Sequence, residues 1–499
     1  MSSELFKIPK EVADVAKTLE NEGFEAYLIG GCVRDTLLGN KPKDWDITTN
    51  AKPDKLTSLF QNTFYENDFG TVGVVNEDVS DETLKVVEVT PYRKEAAYSD
   101  FRRPDSVSFS EKLEDDLARR DFTVNAIALK LEVQTKVSEY KGHLVDLYKG
   151  RADIKDRVIR AVGNPNERFK EDALRTLRAI RLSSELEFRI EEATEKAIIE
   201  FSDLLKHISA ERIRDEFIRI LMSDKPMEGL NLAKRLGVLI FILPELEAGS
   251  GIKQNKAHSY DVLEHSLRTV AHSAKKKFPL DVRLAALLHD IGKPKARRWS
   301  KEKNDWTFYG HDVIGSRETE KILKRLRFPV KVVEKVVKLV RWHMFFSDTE
   351  KITLSAVRRL VRNVGRENVW NLMDVRSCDR IGTGRPKESP YRLRKYHSMI
   401  EEAVRAPISV SMLEINGGKI MEVTHETPGP RIGYILHALL EEVLDDPTRN
   451  TREYMERRAV EFSSLSDEDL KTLGTKGKEK RESEEEKELE VIRKRHFVK

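Results

Sequence analysis

Cysteine is nearly absent: among 499 residues there are two, Cys32 and Cys378, in separate parts of the chain. Two distant thiols give no disulfide framework and no thiolate metal site, so a cytosolic protein is expected. Long apolar runs are missing too. None approaches the length of a membrane span, and no membrane partner is expected. The opening "MSSELFKIPKEVADVAKTLE" lacks the apolar core of a secretory signal. Neither sign of charge dominates. Lys and Arg number 89 against 85 Asp and Glu, and the net charge of +4 says little about a nucleic-acid partner. What is abundant is charge of both signs, 35% of residues, as suits exposed helices. Apolar residues make up 39%, enough for packed domains. The length exceeds what one core organises, so three or four modules are expected. The oligomeric state is left open.

The residue pattern changes near position 150. Before it, short apolar runs alternate with helical spacing. Residues 11–22 predict an amphipathic helix, "EAYLIGG" a buried strand, and "CVRDTLLG" a helix stopped at Gly39. "DWDITTN", "GTVGVV", "LKVVEVTPYR", "AIALKLE" and "LVDLY" predict further strands of one small sheet. After residue 151 strands largely vanish and helical spacing dominates. Joints fall at 223–230, 247–259 and 383–392, and the last residues are almost all charge.

Gly30-Gly31 comes straight off a strand. Without a Cβ a ligand can approach the backbone, and the free amides of the next helix attract anions. A tight strand-to-helix turn explains the pair equally well. Asp44 and Asp46 sharpen the choice. In an extended strand residues i and i+2 point to one side, so two carboxylates project together and call for a cation. Mg²⁺ prefers a few carboxylates plus substrate phosphates. A phosphate cradle beside such a pair is what nucleotidyl transfer needs. Glu88, on "VVEVTPYR", is a possible third carboxylate or a solvated strand residue. On one continuous helix over "EDALRTLRAIR", Glu171, Asp172, Arg175 and Arg178 would share a face. Asp172 and Arg175 then form either a base-reading acceptor and donor fork or an ordinary surface ion pair.

"GGCVRD" followed by "DWDI" resembles the head of class II tRNA nucleotidyltransferases and bacterial poly(A) polymerases, relatives of DNA polymerase β. "RRDFTVNA" (119–126) is similar to that family's ribose-recognition motif, "DLYKGRADI" (146–154) to its hinge, and "EDALRTLRAIR" (171–181) to its base-reading helix. Four ordered motifs over this span form a specific signal. The resemblance implies a DNA polymerase β-like α/β nucleotidyltransferase head, then all-α neck, body and tail domains. It implies tRNA as partner, CTP and ATP as substrates, Mg²⁺ as cofactor, and template-independent addition of CCA. Asp44 and Asp46 would be catalytic. Gly30, Gly31, Arg34, Arg120, Asp121, Asn125, Asp172, Arg175 and Arg178 would bind nucleotide, with Glu88 and Glu171 as lesser candidates. Asp35 would orient Arg34. The run 92–109 resembles the family's flexible loop, and intact it favours complete CCA addition or terminal A addition. An A-adding enzyme or a poly(A) polymerase remains an alternative, since all share the motifs.

The second half carries ordered histidines. His265, His289-Asp290 in "LLHDIGKP", His311, His343, Asp374 and Asp379 follow one another. Imidazole and carboxylate together suit Mn²⁺, Fe²⁺, Ni²⁺, Co²⁺ or Mg²⁺. This arrangement resembles an HD domain, a helical metal-dependent phosphohydrolase fold. The resemblance implies His265, His289, Asp290 and Asp379 as ligands, with His311 and His343 for a second metal. A second alternative is therefore an HD phosphohydrolase acting on RNA 3′ ends. The expected domains are a head at 1–150, neck and body at 151–255, an HD domain at 256–385, and a helical tRNA-binding tail at 386–465. The charged residues 466–499 read as disordered or a frayed helix. Arg431, Arg452 and Arg457 are candidate phosphate contacts in the tail.

Overall fold

The computed structural model describes residues 3–66, 70–77, 79–95, 107–255, 259–345, 352–404, 410, 413–473 and 495. The loop at 96–106 and most of the charged end therefore lie outside the described residues, and with them the expectations placed there. Two compact units are present: Met1–Arg341 with Ile381–Gly384, and Trp342–Arg380 with Arg385–Lys499.

The first unit opens with a mixed eight-stranded sheet. Its strands are β1 (Glu4–Lys7), β2 (Ala26–Ile29), β3 (Trp45–Thr49), β4 (Thr63–Tyr65), β5 (Val72–Val75), β6 (Val86–Pro91), β7 (Ala128–Lys136) and β8 (Glu139–Val145). Their order is β1-β8-β7-β2-β3-β6-β5-β4. Only β3 and β6 run parallel, with Asp46 opposite Glu88. Helix Lys10–Asn21 turns Val12, Val15, Ala16 and Leu19 inward at helical spacing and packs on β2 and β3. Tyr92, Ile29, Leu113, Leu117 and Ala128 form a buried cluster beneath the sheet. The Tyr92 hydroxyl donates to Glu25 Oε2 at 2.9 Å, which satisfies its polar end.

Helices dominate after residue 150, as expected, and only short strands remain among the described residues. A short parallel pair joins Val158–Ile159 to Arg189–Ile190, and a hairpin pairs Arg298–Ser300 with Asp305–Thr307. The link after β8 is held by Asp146, whose carboxylate accepts from the Gly150 and Arg151 amides at 2.7 and 2.9 Å. These bonds satisfy free amides at the start of helix Gly150–Asp156.

The expected single helix over 171–181 is corrected by the structure. One helix, Pro165–Glu171, ends at Asp172, whose backbone is extended (φ −141, ψ 103). A second, Leu174–Leu186, begins two residues on. Asp172 breaks the run because its Oδ1 accepts from the Leu174 amide at 3.1 Å. The second unit has its own core, in which Ile420, Ile435, Leu439, Met455 and Ala459 are among the buried residues. Among the described residues no helix is long and apolar enough to cross a membrane.

Candidate active site and metal centre

Gly30 ends β2 with φ +82 and ψ −135, a backbone state open almost only to glycine. A Cβ there would stand 2.9 Å from Arg120 Nη1 and 3.4 Å from Asp46 Oδ2. At Gly31 it would stand 3.6 Å from Arg34 Nη2 and 3.8 Å from Asp44 Oδ1. Both carboxylates and two guanidinia thus converge on the bare glycine turn. Asp44 lies just ahead of β3 and is exposed, Trp45 is buried on the opposite side, and Asp46 is half-buried. Glu88 reaches the same face from β6. Burial, Asp44 and Glu88 push the Asp46 carboxyl up to about 7, against the pull of Arg120. Glu88 is raised as well, by burial, Glu66 and Asp44. A carboxyl raised by burial and by neighbouring carboxylates suits a bound cation.

The flanking cations are fixed by hydrogen-bonded partners. Arg34 donates through Nε and Nη2 to Asp35 Oδ1 at 2.9 and 2.7 Å, and through Nη1 to Asn125 Oδ1 at 2.7 Å. Asp35 therefore does orient Arg34. Arg120 Nη2 reaches Asp116 Oδ2 at 3.3 Å, and Arg119 Nη2 reaches Asp116 Oδ1 at 2.6 Å. Asp116 is fully buried and also meets Thr48 Oγ1 at 3.3 Å. Burial pushes its carboxyl up, but Arg119 and Arg120 outweigh that and hold it low. Sequence reasoning missed Asp116. Its spacing of three and four from Arg119 and Arg120 on a short helix was the available signal.

"RRDFTVNA" forms an extended residue and a single tight turn, Thr123–Asn125, rather than a regular strand or helix. Asp121 accepts from the Phe122 amide at 2.8 Å, from Asn125 Nδ2 at 3.3 Å and from Arg178 Nε at 2.8 Å. Burial raises its carboxyl, but Arg178 and Arg175 pull it far below the usual carboxylate range. The break at Asp172 separates the residues expected on one helical face. Arg175 pairs with Glu171 Oε2 at 2.5 Å and donates to the Arg119 carbonyl at 3.0 Å. Asp172 Oδ2 instead accepts from Arg212 at 2.6 Å. The expected Asp172–Arg175 side-chain pair is thus replaced by two separate pairs. Arg178 is the more open of the two arginines, with 37% side-chain exposure against 10% for Arg175.

His265, His289 and His311 form a second, buried cluster in the same unit. His265 Nε2 stands 3.0 Å from His289 Nε2, and each stands 3.2 Å from Asp290 Oδ2. His311 Nε2 lies 3.4 Å from Asp290 Oδ1. His289 Nδ1 donates to the Ala286 carbonyl at 2.9 Å, and His311 Nδ1 to the Phe308 carbonyl at 2.7 Å. Such bonds fix the tautomer and aim Nε2 lone pairs inward, as metal-ligating histidines require. Lys293, not foreseen, joins Asp290 Oδ2 and Gln254 Oε1, each at 2.6 Å. Its three-residue spacing from Asp290 was the visible clue. A Cβ at Gly292 would lie 2.2 Å from the His311 carbonyl oxygen and 2.5 Å from the Gly315 amide nitrogen, so bare backbones touch here. Asp379 and His343 belong to the second unit and are buried, with Asp379 Oδ2 2.6 Å from Arg376 Nη1. Arg431 corrects the tail reading. Its guanidinium is taken up by Glu426, Asp467 and the carbonyls of Ser463 and Leu465, so it is a structural tie.

A sheet-borne carboxylate group facing a glycine turn, followed by helices and a His/Asp cluster, defines a nucleotidyltransferase head joined to an HD domain. Family comparison agrees. Residues 26–160 match the poly(A) polymerase head domain, 187–249 the probable RNA and SrmB binding site of polymerase A, and 257–383 the HD domain. The chain is 30% identical over 467 residues to the CCA-adding enzyme of Leuconostoc mesenteroides, covering 91% of this chain and 98% of that protein. It is 46% identical over 222 residues to the enzyme of Enterococcus faecalis, covering 44% of this chain and 51% of that one. The crystal structure of the Bacillus stearothermophilus CCA-adding enzyme in complex with CTP superposes with a TM-score of 0.60 at 27% identity, covering 91% of this chain and 96% of that one. The chain belongs to the CCA-adding enzyme family.

Proposed function

We propose that this protein adds CCA to the 3′ end of tRNA from CTP and ATP, without a nucleic-acid template and in the cytosol. The observation that carries the reading is the convergence of Asp44 and Asp46 on Gly30-Gly31 in a chain of this family. Asp44 and Asp46 would hold Mg²⁺, with Glu88 beside them, and the ions supply neutralisation of the triphosphate and activation of the terminal 3′-hydroxyl. The amides after Gly31, with Arg34 and Arg120, receive the remaining phosphate charge. Ionised Asp121 accepts from the ribose 2′-hydroxyl, and Asn125 holds Arg34 in place. Asp172 and Arg178 present an acceptor and a donor fork to the base edge. Arg175 and Glu171 brace the helix junction from which they project. Arg452 and Arg457 are offered to tRNA phosphates in the tail.

Incubation with tRNA lacking CCA, tRNA ending in CC and an unrelated RNA, with labelled CTP or ATP supplied separately, tests this. Incorporation of both labels on the first RNA is expected. No incorporation on any RNA sinks the reading, and ATP incorporation on the CC-ending tRNA alone makes the protein A-adding. A second reading rests on the inward-facing histidines. His265, His289 and Asp290 would hold a divalent metal of the Mn²⁺, Fe²⁺, Co²⁺, Ni²⁺ or Mg²⁺ group, and sequence resemblance adds Asp379. The module then removes phosphomonoesters or 2′,3′-cyclic phosphates from RNA ends. Hydrolysis of such ends lost in His289→Ala but kept in Asp46→Ala is the expected pattern.

A further inference from the structure

The chain leaves the His/Asp cluster at Lys293 and returns to it at His311. Between them it makes the hairpin Arg298–Ser300 and Asp305–Thr307. Neither the transfer chemistry nor the metal cluster uses this hairpin. Trp299 and Trp306 sit opposite each other across it, with ring centroids 5.1 Å apart and an interplanar angle of 77°. The Arg297 guanidinium lies over the Trp306 ring, 3.6 Å from its centroid. Its buried Nε has no hydrogen-bond partner among the described residues, so stacking is what holds it. Trp299 is 50% exposed and Tyr309 73% exposed, and Lys303 donates to the Tyr309 hydroxyl at 2.6 Å. Core packing would have buried these rings. Here Arg297 braces Trp306 and Lys303 braces Tyr309, while Trp299 and Tyr309 are exposed.

Cations outnumber anions around the rings. Arg297, Arg298, Lys301 and Lys303 lie on or beside the hairpin, against Glu302 and Asp305, while Lys295 is paired with Glu318 at 2.6 Å. Asp305 is turned back to accept from the Trp306 amide at 2.8 Å. Braced aromatic faces amid cations suit unpaired nucleobases: the rings stack with any base, and the cations meet the phosphates. A protein partner would call for a broader apolar patch than two separated rings.

We propose that this hairpin, with Tyr309, is a stacking platform for an unpaired RNA 3′ end. Tyr309 stands two residues before His311, so an end stacked there lies along the segment that leads to the cluster. The proposal stands on the hairpin and does not depend on the activity of either module.

The test uses the full chain and a single-stranded hexanucleotide RNA with 4-thiouridine at its 3′ end. After irradiation, crosslinked peptides are mapped by mass spectrometry. Crosslinks within 298–309 are expected, and the Trp299→Ala/Tyr309→Ala double variant should lower them about tenfold or more, the size of a lost base–aromatic stack. Trp299→Phe, which keeps a ring, should retain them. Crosslinks found only elsewhere, an unchanged yield in the double variant, or equal loss in the Phe and Ala variants overturns the platform. CCA incorporation by the same preparations is read separately. Its absence with hairpin crosslinks intact counts against the transferase reading and leaves the platform standing.

Discussion

Asp116 makes no expected contact with substrate, yet it sets the place of two arginines. Asp116→Asn removes a buried charge and leaves Arg119 and Arg120 without their counter-ion. A loss on the order of 3 kcal/mol in unfolding free energy is expected at neutral pH. The pH dependence has a definite sign. The folded carboxyl is held low, so its contribution is complete above the unfolded value of about 4 and fades as pH falls through the folded one. Denaturant melts at a series of pH values should show the gap between parent and variant closing in acid. A gap that widens there refutes the assignment. Gly30 and Gly39 both have positive φ, +82 and +74, but only Gly30 has neighbours where a Cβ would go. Each Ala substitution should cost roughly 1–3 kcal/mol of backbone strain. Only Gly30→Ala should also displace Arg120 and lower CTP incorporation by orders of magnitude. The glycines and both aspartates were legible because their chemistry is local to a short stretch. Asp116 was not, because a carboxylate near two arginines on a short helix reads as a surface pair until its burial is seen.

At the scale of elements, the junction between Pro165–Glu171 and Leu174–Leu186 is the instructive failure of pattern reading. No glycine or proline marks it, and apolar spacing continues across it. The break comes from one side chain that competes for a backbone amide and is then locked by Arg212 from another helix. Such tertiary support leaves no periodic trace. Asp172→Ala should cost about 1 kcal/mol as a lost cap. It should also shift the ratio of CTP to ATP incorporation, which is measured with both nucleotides in competition. The short edge strands β1 and β4 were likewise missed, since three or four residues give alternation too little length to register. Arg431→Ala removes a tie between helix Pro430–Asp445 and the carbonyls after helix Arg452–Ser463. Its effect should be lower thermal stability with an unchanged salt slope for tRNA binding. Arg457→Ala should do the reverse and reduce that slope by about one.

For the whole molecule, the carboxylates at the glycine turn and the buried cluster of His265, His289, Asp290 and His311 are separate constellations of the first unit. Chelation followed by readdition should restore incorporation with Mg²⁺ alone. Metal content measured by atomic absorption should fall in a His265→Ala/His289→Ala variant while CCA incorporation persists. Loss of both together would mean that the two sites are one functional system. The α/β head and the HD domain after it were readable from the sequence because each carries its own motif.

Gly292 carries a consequence for how the His/Asp cluster would take up an ion. Two stretches of naked backbone meet there, and no side chain can be inserted to loosen the meeting. The spacing of His289, Asp290 and His311 is therefore settled during folding and owes nothing to the guest. Such a cluster resembles a cast mould more than a closing hand. Calorimetry should find a small heat-capacity change on metal entry and uptake that is not slowed by rearrangement. Discrimination between ions must then come from donor type and supply, since the mould cannot be refitted for each.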